Sequence, residues 1–228
     1  MASASTEAAP WAVIFDVDGT MVDNRLFHRD AWIEFGHRNG FPITAEYYSQ
    51  KIHSRSNEAN ARLLYGDDVD SRQVACVDEE KEAIYRELFG PHLREMPGLT
   101  ELLQELCDAG VPCATVSNSP HSNIGFVLDG LEIRAYFDVI LSVSDVPLGK
   151  PHPDLYEAAA RGLNVPVRRC VVIEDSPSGF AAAEAAGAPY VVITAGADPE
   201  HLHKAAGAAA QHPDFSTLTL AKLAALVG

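Results

Sequence analysis

The apolar positions of this chain keep two rhythms, and the changes between them mark its organisation. Residues 12–16, AVIFD, are apolar at every position but the last, the pattern of a strand covered on both faces. From 24 to about 93 the spacing is helical: HRDAWIEFGHRNG (28–40), TAEYYSQKIHSRSNEANARLLYG (44–66) and DEEKEAIYRELFG (78–90) carry no convincing strand. From 97 onward, short apolar runs alternate with helical segments. PGLTELLQELCDAG puts Leu99, Leu102, Leu103 and Leu106 on one face and stops at Gly110, a residue suited to the left-handed turn that ends a helix. VPCATVSNS, FDVILSV, RCVVIEDS and PYVVITA predict strands. Residues 121–130, PDLYEAAARGL, PSGFAAAEAAGA and STLTLAKLAALVG predict helices. In the third of these Ser176 is the expected N-cap, Pro177 the first helical residue and Gly187 the stop.

Alternating units of this length imply right-handed crossovers and a parallel sheet with helices on both faces. The predicted class is α/β, a parallel-sheet core flanked by helices with an all-helical insertion after the first strand. The expected boundaries are a flexible leader at 1–10, a core of 11–23 and 94–228, and an inserted unit at 24–93. EMPG at 95–98 is the return hinge.

Net charge is −15, which argues against nucleic acid or an anionic membrane surface as the main partner. No apolar run approaches the ~18–20 residues that span a bilayer, and MASASTEAAP lacks the basic and apolar regions of a secretory signal. Four cysteines without CxxC spacing read as buried reduced thiols, fitting a reducing compartment. A cytoplasmic protein is expected, as a monomer or weak dimer.

Ligands of open parallel sheets sit at the carboxyl ends of the strands, so the polar residues there are the candidates. They are Asp16 and Asp18 after the first strand, Ser117 and Asn118 after the second, and Glu174 and Asp175 after CVVI, with Lys150 in LGKPHPD. Two carboxylates two apart on an extended strand project the same way and repel. A hard divalent cation would neutralise them, and an all-oxygen donor set suits Mg²⁺ rather than zinc or copper. Lys150 and Ser117 would then serve phosphate oxygens, as phosphoryl transfer requires. Taken singly each group has a plainer use: DVDG as a calcium-binding turn, Ser117 as a cap, Lys150 as a solvated charge, IEDS as a helix cap. Their combination at strand ends is what points to chemistry.

DVDGT, the Ser of TVSNS, the Lys of GKPHPD and the acidic pair of VVIEDSPSG resemble the four motifs of the haloacid dehalogenase superfamily. The resemblance covers essentially the whole chain. It implies a Rossmann-like core, a mobile helical cap of the C1 type and an Mg²⁺-dependent aspartyl-phosphate mechanism. By position it implies Asp16 as nucleophile and Asp18 as general acid and base. Ser117, Asn118 and Lys150 would hold phosphate. Asp16, Asp175, Glu174 and Asp18, the last through its carbonyl, would hold the metal. KEAIYRELF and GLTELLQEL look like the β-phosphoglucomutase-like branch, where His28, Lys51 and Arg55 would face the substrate from the cap; Trp32 is expected in the cap's core. A carboxylic acid at 18 disfavours dehalogenase and phosphonatase chemistry. Asp23-Asn24-Arg25 and Ile52 depart from the mutase pattern. The expected activity is an Mg²⁺-dependent phosphatase of a small phosphorylated metabolite, with sugar phosphates as the leading class. A β-phosphoglucomutase-type isomerase and a non-catalytic binding relative are the alternatives.

Overall fold

The computed structural model describes residues 11–53, 55–195 and 199–228, so the leader expected at 1–10 lies outside the described residues. The chain divides into two compact units, one formed by the described residues up to Asp23 with Arg94–Gly228, the other by Asn24–Leu93.

The first unit is built on a six-stranded sheet: β1 (Ala12–Asp16), β2 (Cys113–Ser117), β3 (Val139–Ser142), β4 (Cys170–Glu174), β5 (Tyr190–Ile193) and β6 (Ala210–His212). Their order is β3-β2-β1-β4-β5-β6, and every neighbouring pair is parallel. β1 lies at the centre with all five residues buried, as its unbroken apolar run requires. Alternate side chains serve opposite faces. Ile14 joins Val116, Val172, Leu155 and Phe180 in one core layer, whereas Phe15 meets the rings of Phe137 and Phe215 at 5.8 and 6.2 Å. The chain leaves β1 toward β2 on one side and later returns to β4 on the other. The carboxyl end of β1 is therefore the point where strand order reverses, the place such sheets open a crevice. β6 is not predicted by the sequence pattern. It is a three-residue edge strand in an alanine-rich stretch, joined to β5 through the backbone, and so it leaves no alternation of side chains to read.

Among its described residues the second unit holds helices and no strand: α1 (Arg25–Asn39), α2 (Ala45–Tyr47), a π-helical turn at Tyr48–Ile52, α3 (Asn57–Tyr65) and α4 (Ser71–Phe89). α1 packs on α4 through Phe27 against Phe89, ring centroids 4.9 Å apart, and His28 stacked on Tyr85 at 4.0 Å. Trp32 is buried there, as expected. The helical stretch at 44–66 breaks in two. Thr44 caps the first part and Ser56, in extended conformation, accepts from the Ala59 N–H to start the second. Local caps compete with helix continuation. α4 begins well before the predicted 78, because Asp70 caps it by accepting from the Gln73 N–H.

In the first unit the helices are α5 (Leu99–Asp108), α6 (His121–Gly130), α7 (Asp154–Gly162), α8 (Pro177–Ala186) and α9 (Leu220–Ala224). α5 buries Leu99, Leu102, Leu103 and Leu106. α8 starts with the Ser176 hydroxyl accepting from the Gly179 N–H and stops at Gly187 in left-handed conformation. All four cysteines are free. Cys113 and Cys170 are buried in strands, but Cys76 and Cys107 are exposed, contrary to expectation, because each lies on the outer face of an amphipathic helix. Among the described residues no helix is long and apolar enough to cross a membrane.

Candidate active site

The carboxyl ends of β1, β2 and β4, with the loop after β3, bring the core candidates into one place. Asp16 is the last residue of β1, Ser117 of β2 and Glu174 of β4. Lys150 follows β3 in the chain; it is buried rather than solvated, and its Nζ donates to Asp16 Oδ1 at 2.5 Å and to Glu174 Oε1 at 2.7 Å. One small cavity of about 170 Å³ is lined by Asp16, Asp18, Ser117, Asn118, Ser119, Lys150, Ser176 and Ser178. A larger one of about 310 Å³ lies between α5 and residues 215–219. Its walls carry Glu101, Glu105, Ser216 and Thr219 beside apolar groups, and among the described residues no cation lines it to receive an anion.

Two glycines let the segments approach. Gly19 has φ +87°, and a Cβ there would lie 2.2 Å from Asp175 Oδ2. The turn after β1 thus needs glycine both for its backbone and for the space that the Asp175 carboxylate occupies. At Gly179, in the first turn of α8, a Cβ would stand 1.8 Å from the Glu174 carboxylate. That carboxylate is saturated. Oε1 accepts from Lys150 and from the Tyr156 hydroxyl at 3.1 Å, and Oε2 accepts from Asp175 N, Ser176 N and the Ser176 hydroxyl. Asn118 is also committed: its amide donates to the Lys150 carbonyl at 3.0 Å and accepts from the Lys150 N–H at 2.9 Å. Asp175 accepts from the Thr20 hydroxyl at 3.1 Å.

Asp16, Glu174 and Asp175 offer carboxylate oxygens within 4.8 Å of one another, all buried. Three carboxyl groups face one ammonium. Burial, reinforced by Glu174 and Asp18 and opposed by Lys150, pushes the Asp16 carboxyl up to about 8. Burial, with Glu174 and Asp16, likewise drives Asp175 well above the usual carboxylate range. Burial opposes the charge on Lys150, yet Asp16 and Glu174 outweigh it and hold the ammonium well above the ordinary lysine value. The cluster is short of positive charge, and its hard oxygen donors fit a divalent cation such as Mg²⁺. The Asp18 side chain stands apart from this group. Its Oδ2 accepts from the hydroxyls of Ser117 at 2.9 Å and Ser119 at 2.7 Å.

The candidates of the helical unit lie within their own framework. His28 Nδ1 is 2.8 Å from Lys81 Nζ, which also donates to Glu82 Oε1 at 2.8 Å. Lys81 sits 5.9 Å from the Trp32 ring centroid. Lys51 and Arg55 are exposed, in the π-helical turn and just after it. Sequence reasoning misses Thr20, Ser119, Tyr156 and Lys81. Thr20 and Ser119 lie one or two positions beyond Asp18 and Asn118, and the polar run after each strand is the signal that could have found them. Tyr156 reads as an ordinary apolar-face residue, and Lys81 as one of many charges along α4.

The sequence profile of the haloacid dehalogenase-like hydrolases matches residues 12–187. A validoxylamine A 7′-phosphate phosphatase from Streptomyces hygroscopicus subsp. limoneus is 32% identical over 195 residues, 84% of this chain and 89% of its own. A phosphorylated carbohydrates phosphatase from Thermotoga maritima is 31% identical, covering 77% of this chain and 81% of its own. The crystal structure of CbbY from Rhodobacter sphaeroides in complex with phosphate superposes with a TM-score of 0.80 at 29% identity, over 93% of this chain and 98% of that one. With the parallel sheet and the acidic, lysine-bearing strand ends already in place, these matches show that the chain belongs to the haloacid dehalogenase-like hydrolases.

Proposed function

We propose that this phosphoric monoester hydrolase is an Mg²⁺-dependent phosphatase of a small sugar or polyol phosphate, acting through a phosphorylated Asp16. The observation that carries the reading is the meeting of Asp16, Ser117 and Lys150 around one cavity beside the Asp16–Glu174–Asp175 cluster. Phosphatases among the relatives support hydrolysis. A mutant of CbbY from Rhodobacter sphaeroides, crystallised in complex with xylulose-(1,5)bisphosphate, supports a sugar phosphate.

Asp16 and Asp175 would hold the ion. Glu174 also offers an oxygen to it, though five protein donors already satisfy that carboxylate. When bound, Mg²⁺ neutralises charge on the phosphoryl oxygens and on the carboxylates around it. Ionised Asp16 attacks phosphorus, the bond to the leaving oxygen breaks, and Asp18 delivers a proton to that oxygen. Water then attacks phosphorus, gives its proton to Asp18 and releases Asp16 with inorganic phosphate. Lys150 and Ser117 donate to the phosphoryl oxygens, and Asn118 keeps the Lys150 backbone in position. The same reading gives recognition to the helical unit, where Lys51 and Arg55 are exposed cations in an acidic chain and His28 is held by Lys81. Free thiols in all four cysteines support a cytoplasmic location.

The test is a panel of sugar and polyol phosphates assayed for phosphate release with Mg²⁺ and with EDTA. Release should need Mg²⁺ and vanish in Asp16→Asn, and mass spectrometry after rapid quenching should find the phosphoryl group on Asp16. Conversion of glucose 1-phosphate to the 6-phosphate without release would overturn the reading in favour of an isomerase.

A further inference from the structure

We propose that Ser119 is a positioning residue for Asp18, keeping that carboxylate in place when Ser117 turns to a phosphoryl group. The proposal rests on the phosphatase reading above. Asp18 Oδ2 receives two hydroxyl hydrogens, from Ser117 at 2.9 Å and from Ser119 at 2.7 Å. The Ser117 oxygen in turn accepts from the Ser119 N–H at 2.9 Å. The two serines are not equivalent. A hydroxyl has a single hydrogen, so the one that Ser117 gives to Asp18 cannot also go to a phosphoryl oxygen. Engagement of phosphate by Ser117 therefore releases Asp18 from one of these hydroxyls and leaves the Ser119 bond intact.

Ser119 is itself anchored. The buried Ser142 hydroxyl donates to the Ser119 carbonyl at 2.9 Å. Ser142 ends β3 in register with Ser117, and its N–H donates to Asp145 Oδ2 at 2.8 Å. His121 Nε2, on the first residue of α6, lies 2.7 Å from the same Asp145 oxygen. The orientation of Asp18 is thus tied through Ser119 to the ends of β2 and β3 and not to its own turn alone. Ser117 trades partners during turnover; Ser119 does not.

Ser119→Ala and Ser119→Thr are to be assayed in the full chain with Mg²⁺ on p-nitrophenyl phosphate and phenyl phosphate. Phenoxide is the poorer leaving group and depends more on the proton from Asp18. Loss of one hydrogen bond to Asp18 should lower kcat/KM, which reports the phosphorylation of Asp16, about tenfold more for phenyl phosphate than for p-nitrophenyl phosphate. Ser119→Thr, which keeps the hydroxyl, should restore the wild-type ratio, and Ser142→Ala should shift it the same way as Ser119→Ala. Equal losses of kcat/KM on both esters would make Ser119 a substrate ligand and overturn the proposal, as would no loss. Crystal structures of wild type and Ser119→Ala grown with Mg²⁺ and inorganic phosphate, which engages Ser117, supply a readout independent of turnover. Asp18 should keep its place in the wild type and leave it in the variant, and an unmoved Asp18 in the variant would overturn the proposal. A wild-type enzyme that hydrolysed neither ester would instead count against the phosphatase reading, with this structural comparison still deciding the role of Ser119.

Discussion

At the scale of single residues, the site is governed by a mismatch between carboxyl groups and cations. Lys150 is bonded to both Asp16 and Glu174, and it is buried with them. Removing one member of a buried ionic group leaves the others without compensation, so Lys150→Met should destabilise the fold by about 3–5 kcal/mol in urea unfolding. It should also remove activity. A variant that lost activity at wild-type stability would show that Lys150 serves phosphate without holding the strand ends together. Asp16, Ser117, Lys150 and Asp175 are legible as candidates only as a set, because each taken singly has a plainer use and three of them stand at the ends of apolar strands. The partner of the Asn118 amide is not: the sequence places it beside phosphate, and the structure turns it onto the Lys150 backbone. No local pattern reports a hydrogen bond between residues 32 positions apart.

Among the elements, α8 is where local signals and the site depend on each other. Ser176 caps the helix and donates to Glu174, while Gly179 leaves room for the same carboxylate. Gly179→Ala should therefore displace Glu174, lower activity sharply and cost more stability than a glycine whose role is only backbone. Gly40 provides that comparison: φ is +75° and a Cβ there would meet nothing within 4 Å, so Gly40→Ala should cost about 1–2 kcal/mol from the left-handed conformation alone. Thermal and urea unfolding of the two variants, with phosphate release as a second readout, separates steric displacement from backbone strain. Equal behaviour of the pair would mean that Glu174 yields easily. The cap, first residue and stop of α8 are all readable, since they are local. The end of the π-helical turn at Ile52 and the fresh start of α3 at Asn57 are not, because helical spacing on either side of a capping serine looks continuous.

For the whole molecule, the helical unit carries a buried charge cluster of its own. Burial opposes ionisation of Glu82, yet Lys81, His28 and Asn57 outweigh it and hold its carboxyl below the usual value. A carboxylate with a depressed folded pKa stabilises above its unfolded value and loses that contribution as pH falls through the folded one. Urea unfolding followed by tryptophan fluorescence, with Trp32 as the reporter in this unit, should show stability declining as pH drops below about 4.5, the unfolded glutamate value. Glu82→Gln should flatten that decline even though it lowers stability at neutral pH by leaving Lys81 without its carboxylate. An unchanged slope would remove Glu82 as a source of the acid sensitivity.

What the sequence determined by itself is the class of fold, the succession of most elements and the residues that could do chemistry. These rest on near-neighbour rules: periodicity of burial, caps and stops, and the polar ends of apolar strands. Tertiary structure alone decided which of those residues meet and what each one does there. Only the packed sheet shows that Glu174 is saturated by Lys150, Tyr156 and the start of α8, that Asn118 holds a loop, and that Ser119 shares Asp18 with Ser117. Apart from the contact of Glu174 with Ser176, these arrangements join groups far apart in the chain. Gly179 leaves room for the Glu174 carboxylate and Gly149 for the Asn118 amide, a close approach that no spacing along the sequence encodes.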